Sequence, residues 1–127
     1  LLASSAASDV YKRQLKEGQI RNRGLFMDTL ILKVVYHVKA GMVEEFREKL
    51  TEANIEATVR KEYGCEAYYY TSHPENDTII LTERWISKEA QQEHLTKPHM
   101  EIVKALKDEY VTSTEVMQRN DFTFEEE

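Results

Sequence analysis

The feature that most restricts the fold of this chain is the order in which its apolar residues change spacing. From Leu30 to Val38 every second residue is apolar, which predicts a β-strand with one face buried. From Val43 to Ala57 apolar residues recur at steps of three and four, as they do along an amphipathic helix of about five turns. Tyr63 and Gly64 end this helix, since glycine readily adopts the left-handed conformation found after a helix.

The second half of the chain is predicted to contain two strands, a helix and a last strand. Cys65–Thr71 and Thr78–Ile86 are rich in aromatic and β-branched residues, and the short polar turn between them predicts a hairpin. Ser87 is a good N-cap for a second helix, which Pro98 divides into two pieces, and Thr112–Arg119 form a last strand. The order βαββαβ predicts an α+β, ferredoxin-like fold with two helices on one face of four antiparallel strands.

The domain is predicted to span residues 27–120. Residues 1–26 show neither the strand spacing nor the helix spacing of apolar residues. Within them, Asp9 to Gln14 match the translated end of a transposon adapter used for sequencing libraries. We therefore interpret 1–26 as a non-native segment before a start at Met27, with a disordered native arm as the alternative. Residues 121–127, which end in three glutamates, are interpreted as a solvated acidic tail.

Composition excludes several functional classes. A chain of 127 residues is sufficient for one core. The single cysteine, Cys65, cannot form an internal disulfide, so a cytoplasmic location is the default, and no apolar run reaches the roughly 18 residues of a membrane span. Residues 27–127 carry 12 basic and 21 acidic side chains, a net charge of −9 that would repel nucleic acid.

The sheet face opposite the helices is predicted to be apolar. Alternation assigns to this face the side chains of Ile31, Val35, His37, Tyr68 and Tyr70. This is a large apolar surface to leave in water, so we expect a homodimer in which two such faces pack together.

Three segments carry a family resemblance. The stretches Glu62–Cys65, Glu83–Ser87 and Glu93–Met100 resemble the antibiotic biosynthesis monooxygenase domain family, and within it the small bacterial quinol monooxygenases. The similarity runs from Leu30 to about Val111. It implies a dimeric α/β barrel that oxidises a quinol or related polyphenol with dioxygen and needs neither a cofactor nor a metal.

The resemblance also argues against haem chemistry. Haem-degrading proteins of this fold share a tryptophan at the position of Trp85, but they use Asn, Trp and His where this chain has Val34, His94 and Lys104. The sequence contains no glycine-rich phosphate loop, no paired cysteines and no HExxH spacing. We therefore expect no metal and no cofactor.

Chemistry without a cofactor needs a base for a phenolic proton and a dry pocket with hydrogen-bond donors. Histidine suits the first task because its ordinary pKa lies near 6.5. The candidate catalytic residues are His94, His99 and Glu83, and the candidate substrate-binding residues are Tyr36, Asn54, Tyr69 and Trp85. For each of them a capping, ion-pairing or packing role is the alternative.

Two other functions stay open on the sequence. One is an isomerase or other proton-transfer enzyme acting on a small oxygenated metabolite. The other is a non-catalytic dimeric barrel in stress response or binding, because this fold serves many unrelated functions.

Overall fold

The computed structural model describes the backbone of residues 24–126 and the side chains of residues 29–120. The four strands are β1 (Gly24–Val38), β2 (Cys65–His73), β3 (Thr78–Trp85) and β4 (Val111–Glu126). The four helices are α1 (Val43–Glu52), α2 (Ile55–Arg60), α3 (Lys88–His94) and α4 (His99–Tyr110). None of the helices in the described part of the chain is long and apolar enough to cross a membrane.

The strands form one antiparallel sheet in the order β2-β3-β1-β4. The central pair is fixed by the register of Leu30 opposite Trp85 and His37 opposite Thr78. The hairpin of β2 and β3 lies on one side of β1, while β4 returns to its other edge. This arrangement confirms the predicted α+β, ferredoxin-like fold.

Strands β1 and β4 are longer than the side-chain pattern indicates. The ladder between β1 and β4 continues to Gly24 opposite Glu126, past the limits of residues 27 and 120 and into the segment expected to be a solvated tail. Pairing of backbone groups does not require apolar side chains, so the apolar pattern underestimates such a strand. Residues 1–23 lie outside the described residues, and the interpretation of residues 1–26 as a non-native segment stays a prediction.

The single first helix of about five turns was a wrong prediction, because the helix breaks at Asn54. Asn54 has a φ of 57°, in the left-handed region that asparagine tolerates better than most residues. The N–H of Ala53 still donates to Lys49, and α2 then restarts with the N–H of Thr58 donating to the Asn54 carbonyl. The second break, at Pro98 between α3 and α4, confirms the prediction.

The helices cover one sheet face, and most of the core lies between them and the strands. Tyr68 and Tyr70, predicted on the opposite face, are buried in this core, so that part of the prediction was wrong. The reason is a bulge in β2 between Cys65 and Ala67, because one extra residue exchanges the two faces of a strand. Tyr69 consequently lies on the outer face and is 43% exposed.

Candidate active site

The centre of the candidate site is the imidazole of His94, at the end of α3. This side chain is buried, and its ring lies 4.7 Å from the ring of Trp85 and 5.6 Å from that of Tyr68, measured between centroids. Ser87 fixes the start of the short helix, because its hydroxyl oxygen accepts a hydrogen bond from the N–H of Ala90 at 3.1 Å. The local fold therefore presents one imidazole to an aromatic interior.

Glu62 lies between two imidazoles. Its Oε2 atom is 3.0 Å from Nδ1 of His94 and 2.6 Å from Nε2 of His99. The exposed fraction of the side chain is 1% for His94, 7% for Glu62 and 19% for His99. An ionised carboxylate can only accept hydrogen bonds, so these two contacts suit ring nitrogens that carry a proton. The three groups form a chain from the core towards the surface.

The interruption at Pro98 brings the two histidines to the same carboxylate. After α3 the N–H of Lys97 donates to the carbonyl of His94 at 3.1 Å, and α4 begins at His99. Proline lacks a backbone donor and therefore favours such a break. In a continuous helix, side chains five residues apart point in different directions, so His94 and His99 would not reach the same carboxylate.

Glu83 and Trp85 occupy the inner face of β3. The indole Nε1 of Trp85 donates a hydrogen bond to Oε1 of Glu83 at 2.9 Å, and both side chains are buried. Burial raises the pKa of the Glu83 carboxyl above its ordinary value, and the charge of Glu62 adds to the rise. The indole bond and the charges of His94 and Lys107 act in the opposite direction.

Three buried tyrosines adjoin this carboxyl. The hydroxyls of Tyr68 and Tyr70 are 2.9 Å apart, and the ammonium of Lys107 lies 5.4 Å from the ring centroid of Tyr36. Burial is the main cause that raises the pKa of each of these phenols, and the charge of Glu83 contributes. The three hydroxyls consequently stay neutral at physiological pH and can donate hydrogen bonds.

The structure gathers most of the sequence-predicted site residues in one region. Those that lie together in the interior or at its edge are His94, His99, Glu83, Trp85 and Tyr36. Asn54 is not among them, because it is exposed at the junction of α1 and α2. Tyr69 is not among them either, because it lies on the opposite face of the sheet.

Sequence reasoning did not select Glu62, Tyr68 or Tyr70 for the site. Glu62 is 32 residues from His94, and no local spacing links the two. The only signal was that Glu62 opens one of the segments on which the family resemblance rests. The two tyrosines were assigned to the other face, and the bulge that turns them inward has no clear mark in the sequence.

The same three groups could also hold a metal ion. Ligand atoms of Glu62, His94 and His99 all lie within 4.8 Å of one another, and imidazole and carboxylate are common ligands of first-row metals. Local spacing could not show this set, because the fold assembles it from two distant segments. The expected absence of a metal therefore stays a prediction.

A surface depression of about 260 Å³ lies at the end of α4 and the start of β4. Its lining includes Lys107, Asp108 and residues 111–114, and none of the predicted site residues. Lys107 is nevertheless the residue whose ammonium lies over the ring of Tyr36. One side chain thus connects this depression with the buried tyrosines.

Comparisons with known proteins agree with this architecture. A family model described as antibiotic biosynthesis monooxygenase matches residues 29–105. Protein SO0527 from Shewanella oneidensis is 22% identical, with a TM-score of 0.64 over 78% of this chain and 97% of that one. A Chloroflexus aurantiacus protein provisionally described as an antibiotic biosynthesis monooxygenase is 20% identical, with a TM-score of 0.61 over 73% and 92% of the two chains.

A protein from Pseudomonas aeruginosa gives a TM-score of 0.65 at 18% identity, covering 76% of this chain and 96% of that one. No protein of curated function matches the sequence. At these identities the solved structures establish the fold, and substrate and activity must be argued from the site.

Proposed function

Because this chain belongs to the antibiotic biosynthesis monooxygenase family, we propose that it is a cofactor-independent monooxygenase that oxidises a quinol or a related polyphenol with dioxygen. The observation that carries the proposal is the buried imidazole of His94, held by Glu62 against two aromatic rings. A base in dry, aromatic surroundings suits the removal of a proton from a phenol.

In the proposed reaction Nε2 of His94 takes the phenolic proton. The resulting anion transfers one electron to dioxygen, and the substrate radical and superoxide combine. One oxygen atom stays on the ring and the other leaves as water, so that a quinol and dioxygen give a hydroxyquinone and water. The substrate supplies all four electrons, which is why no flavin or metal is required.

The neighbouring groups suit a substrate that becomes an anion. Trp85 and Tyr68 supply flat apolar walls, and the neutral hydroxyl of Tyr36 is a potential donor to the developing charge. Burial raises the pKa of the Glu83 carboxyl, so this group is easier to protonate than an exposed carboxyl. Asn54 and Tyr69 have no part in this proposal, because both lie away from the interior.

Oxygen uptake with a panel of quinols tests the proposal. We expect the wild-type chain to consume dioxygen, and His94→Ala to lower the rate by about 10²–10⁴-fold, the usual contribution of a general base. His73→Ala is the matched control, because His73 lies at the end of β2 beside the turn and pairs with Glu75. No uptake by the wild-type chain with any quinol would contradict the proposal, and proton exchange on small ketoses would then test the isomerase alternative.

We also propose that two copies pair through the outer sheet face. Ile31, Val35, Ile80 and Tyr69 leave a partly exposed apolar surface there, although Tyr68 and Tyr70 do not contribute to it. Sedimentation should give a dimer at micromolar concentration, and Tyr69→Asp should shift it to monomer. Leu95→Asp, an exposed apolar site on the helical side, should leave the dimer intact. A wild-type monomer would refute this pairing.

A further inference from the structure

The shared carboxylate of Glu62 is the least expected part of the site. A carboxylate whose side chain is only 7% exposed is costly unless donors satisfy it. Here two imidazole nitrogens lie within hydrogen-bond distance of it, one in a side chain that is 1% exposed and one in a side chain that is 19% exposed. The order of burial is His94, then Glu62, then His99.

We propose that Glu62 is a positioning residue that holds His94 as its Nδ1–H tautomer, leaving Nε2 as the proton acceptor, and that His99 holds the Glu62 carboxylate in place. The consequence for turnover rests on the proposed function. The tautomer itself is a property of the free protein and can be measured without any substrate.

The packing around His94 explains why one carboxylate can fix both its proton and its orientation. The ring stands between Trp85, at an interplanar angle of 33°, and Tyr68, at 63°. Both contacts restrict rotation of the imidazole. Because the Nδ1 edge faces Glu62, Nε2 is the ring nitrogen that accepts the proton in the proposed reaction. Once Nε2 takes a proton, the positive ring already has a carboxylate 3.0 Å away.

The distances favour protons over a metal ion between these groups. Two ligand atoms bound to one ion at about 2.1 Å are about 3.0–3.4 Å apart. Nε2 of His99 and Oε2 of Glu62 are only 2.6 Å apart, the length of a charge-assisted hydrogen bond. The two contact lengths match hydrogen bonds from two imidazoles to one carboxylate.

Nitrogen-15 NMR of the histidine rings tests this directly in the full chain. In the wild type we expect neutral His94 to carry its proton on Nδ1. Glu62→Gln keeps the shape of the side chain but adds an amide donor, so we expect the Nε2–H tautomer to appear. The matched control is Glu115→Gln, which removes the partner of His37 from an exposed His–Glu pair and should leave the His94 signals unchanged.

Turnover supplies the second readout. We expect Glu62→Gln to lower kcat by about 10²-fold or more with little change in KM, since it alters the base and not the binding walls. His99→Gln retains a donor to Glu62 and should lower kcat by only about 10-fold while His94 keeps its Nδ1 proton.

Three results would overturn the inference. They are a wild-type His94 protonated on Nε2, a tautomer unaffected by Glu62→Gln, and one equivalent of tightly held divalent metal in the purified protein. The first and third need no variant, so the test survives if Glu62→Gln fails to fold. Absence of quinol oxidation would remove the proposed function and leave the tautomer result standing.

Discussion

Gly64 is the position where the smallest substitution should have the largest effect on stability. Its φ is +87°, and a Cβ atom at this position would lie 2.6 Å from Cβ of Ala90 and 2.9 Å from Cγ1 of Ile86. The left-handed backbone costs an alanine about 1–2 kcal/mol, and forcing a methyl group into packed surroundings costs about 1–3 kcal/mol. We expect Gly64→Ala to lower the free energy of unfolding by about 2–5 kcal/mol.

Gly41→Ala separates the two contributions. Gly41 has a similar φ of +73°, but nothing lies within 4 Å of the position that a Cβ atom would take, so only the backbone cost of about 1–2 kcal/mol applies. Urea unfolding of both variants at one protein concentration, followed by the fluorescence of Trp85, measures the difference. Equal losses for the two variants would refute the steric argument.

A third variant locates the clash. Because the closest atom to the added Cβ belongs to Ala90, Gly64→Ala combined with Ala90→Gly should lose less stability than the two single changes predict. Neighbouring residues that share a contact typically couple by about 0.5–3 kcal/mol. Strict additivity in this double-mutant cycle would mean that the chain relaxes elsewhere.

Buried titratable groups lead to three further predictions. Folding raises the pKa of the Glu83 carboxyl above its ordinary value of 4.5. Such a group contributes its full stabilisation of the native state below pH 4.5, and that contribution is lost as the pH rises through the raised pKa. Glu83→Gln should therefore stabilise the fold at neutral pH, and urea unfolding should show this gain declining towards pH 4.5. Tyr68→Phe removes one hydroxyl of the buried pair with Tyr70 and should cost about 1–3 kcal/mol in the same assay. Burial raises the pKa of the Cys65 thiol to about 11, so iodoacetamide should alkylate the folded chain slowly at neutral pH and the urea-unfolded chain faster.

The sequence predicted those parts of the fold that depend on residues close together in the chain. Apolar residues at every second position from Leu30 to Val38 specify a strand with one wholly apolar face. A proline in the interior of a helix interrupts it, as Pro98 does here. The break at Asn54 was missed because a left-handed asparagine costs little, so tertiary packing decides whether the helix continues. The bulge after Cys65 was missed for a similar reason, and it moved the β2 tyrosines to the other face.

The sequence could likewise predict only part of the candidate site. His94 and His99 lie close in sequence at a helix break, and Glu83 and Trp85 share a face by the period of two, so sequence alone could place each pair together. Glu62 comes from a different segment, and only the completed fold brings it to the histidines.

Gly64 connects the stability argument with the site. The chain at residues 62–65 can approach α3 closely because Gly64 has no side chain in front of Ala90, and the N–H of Ile86 donates to the Gly64 carbonyl at 2.9 Å. Ala90 stands one helical turn before His94, and Glu62 precedes Gly64 by two residues. The contact that excludes a Cβ at Gly64 therefore also sets how near the carboxylate comes to the imidazole. If Gly64→Ala folds at all, the strained contact should displace Glu62 from His94, and the His94 tautomer should respond as it does to Glu62→Gln.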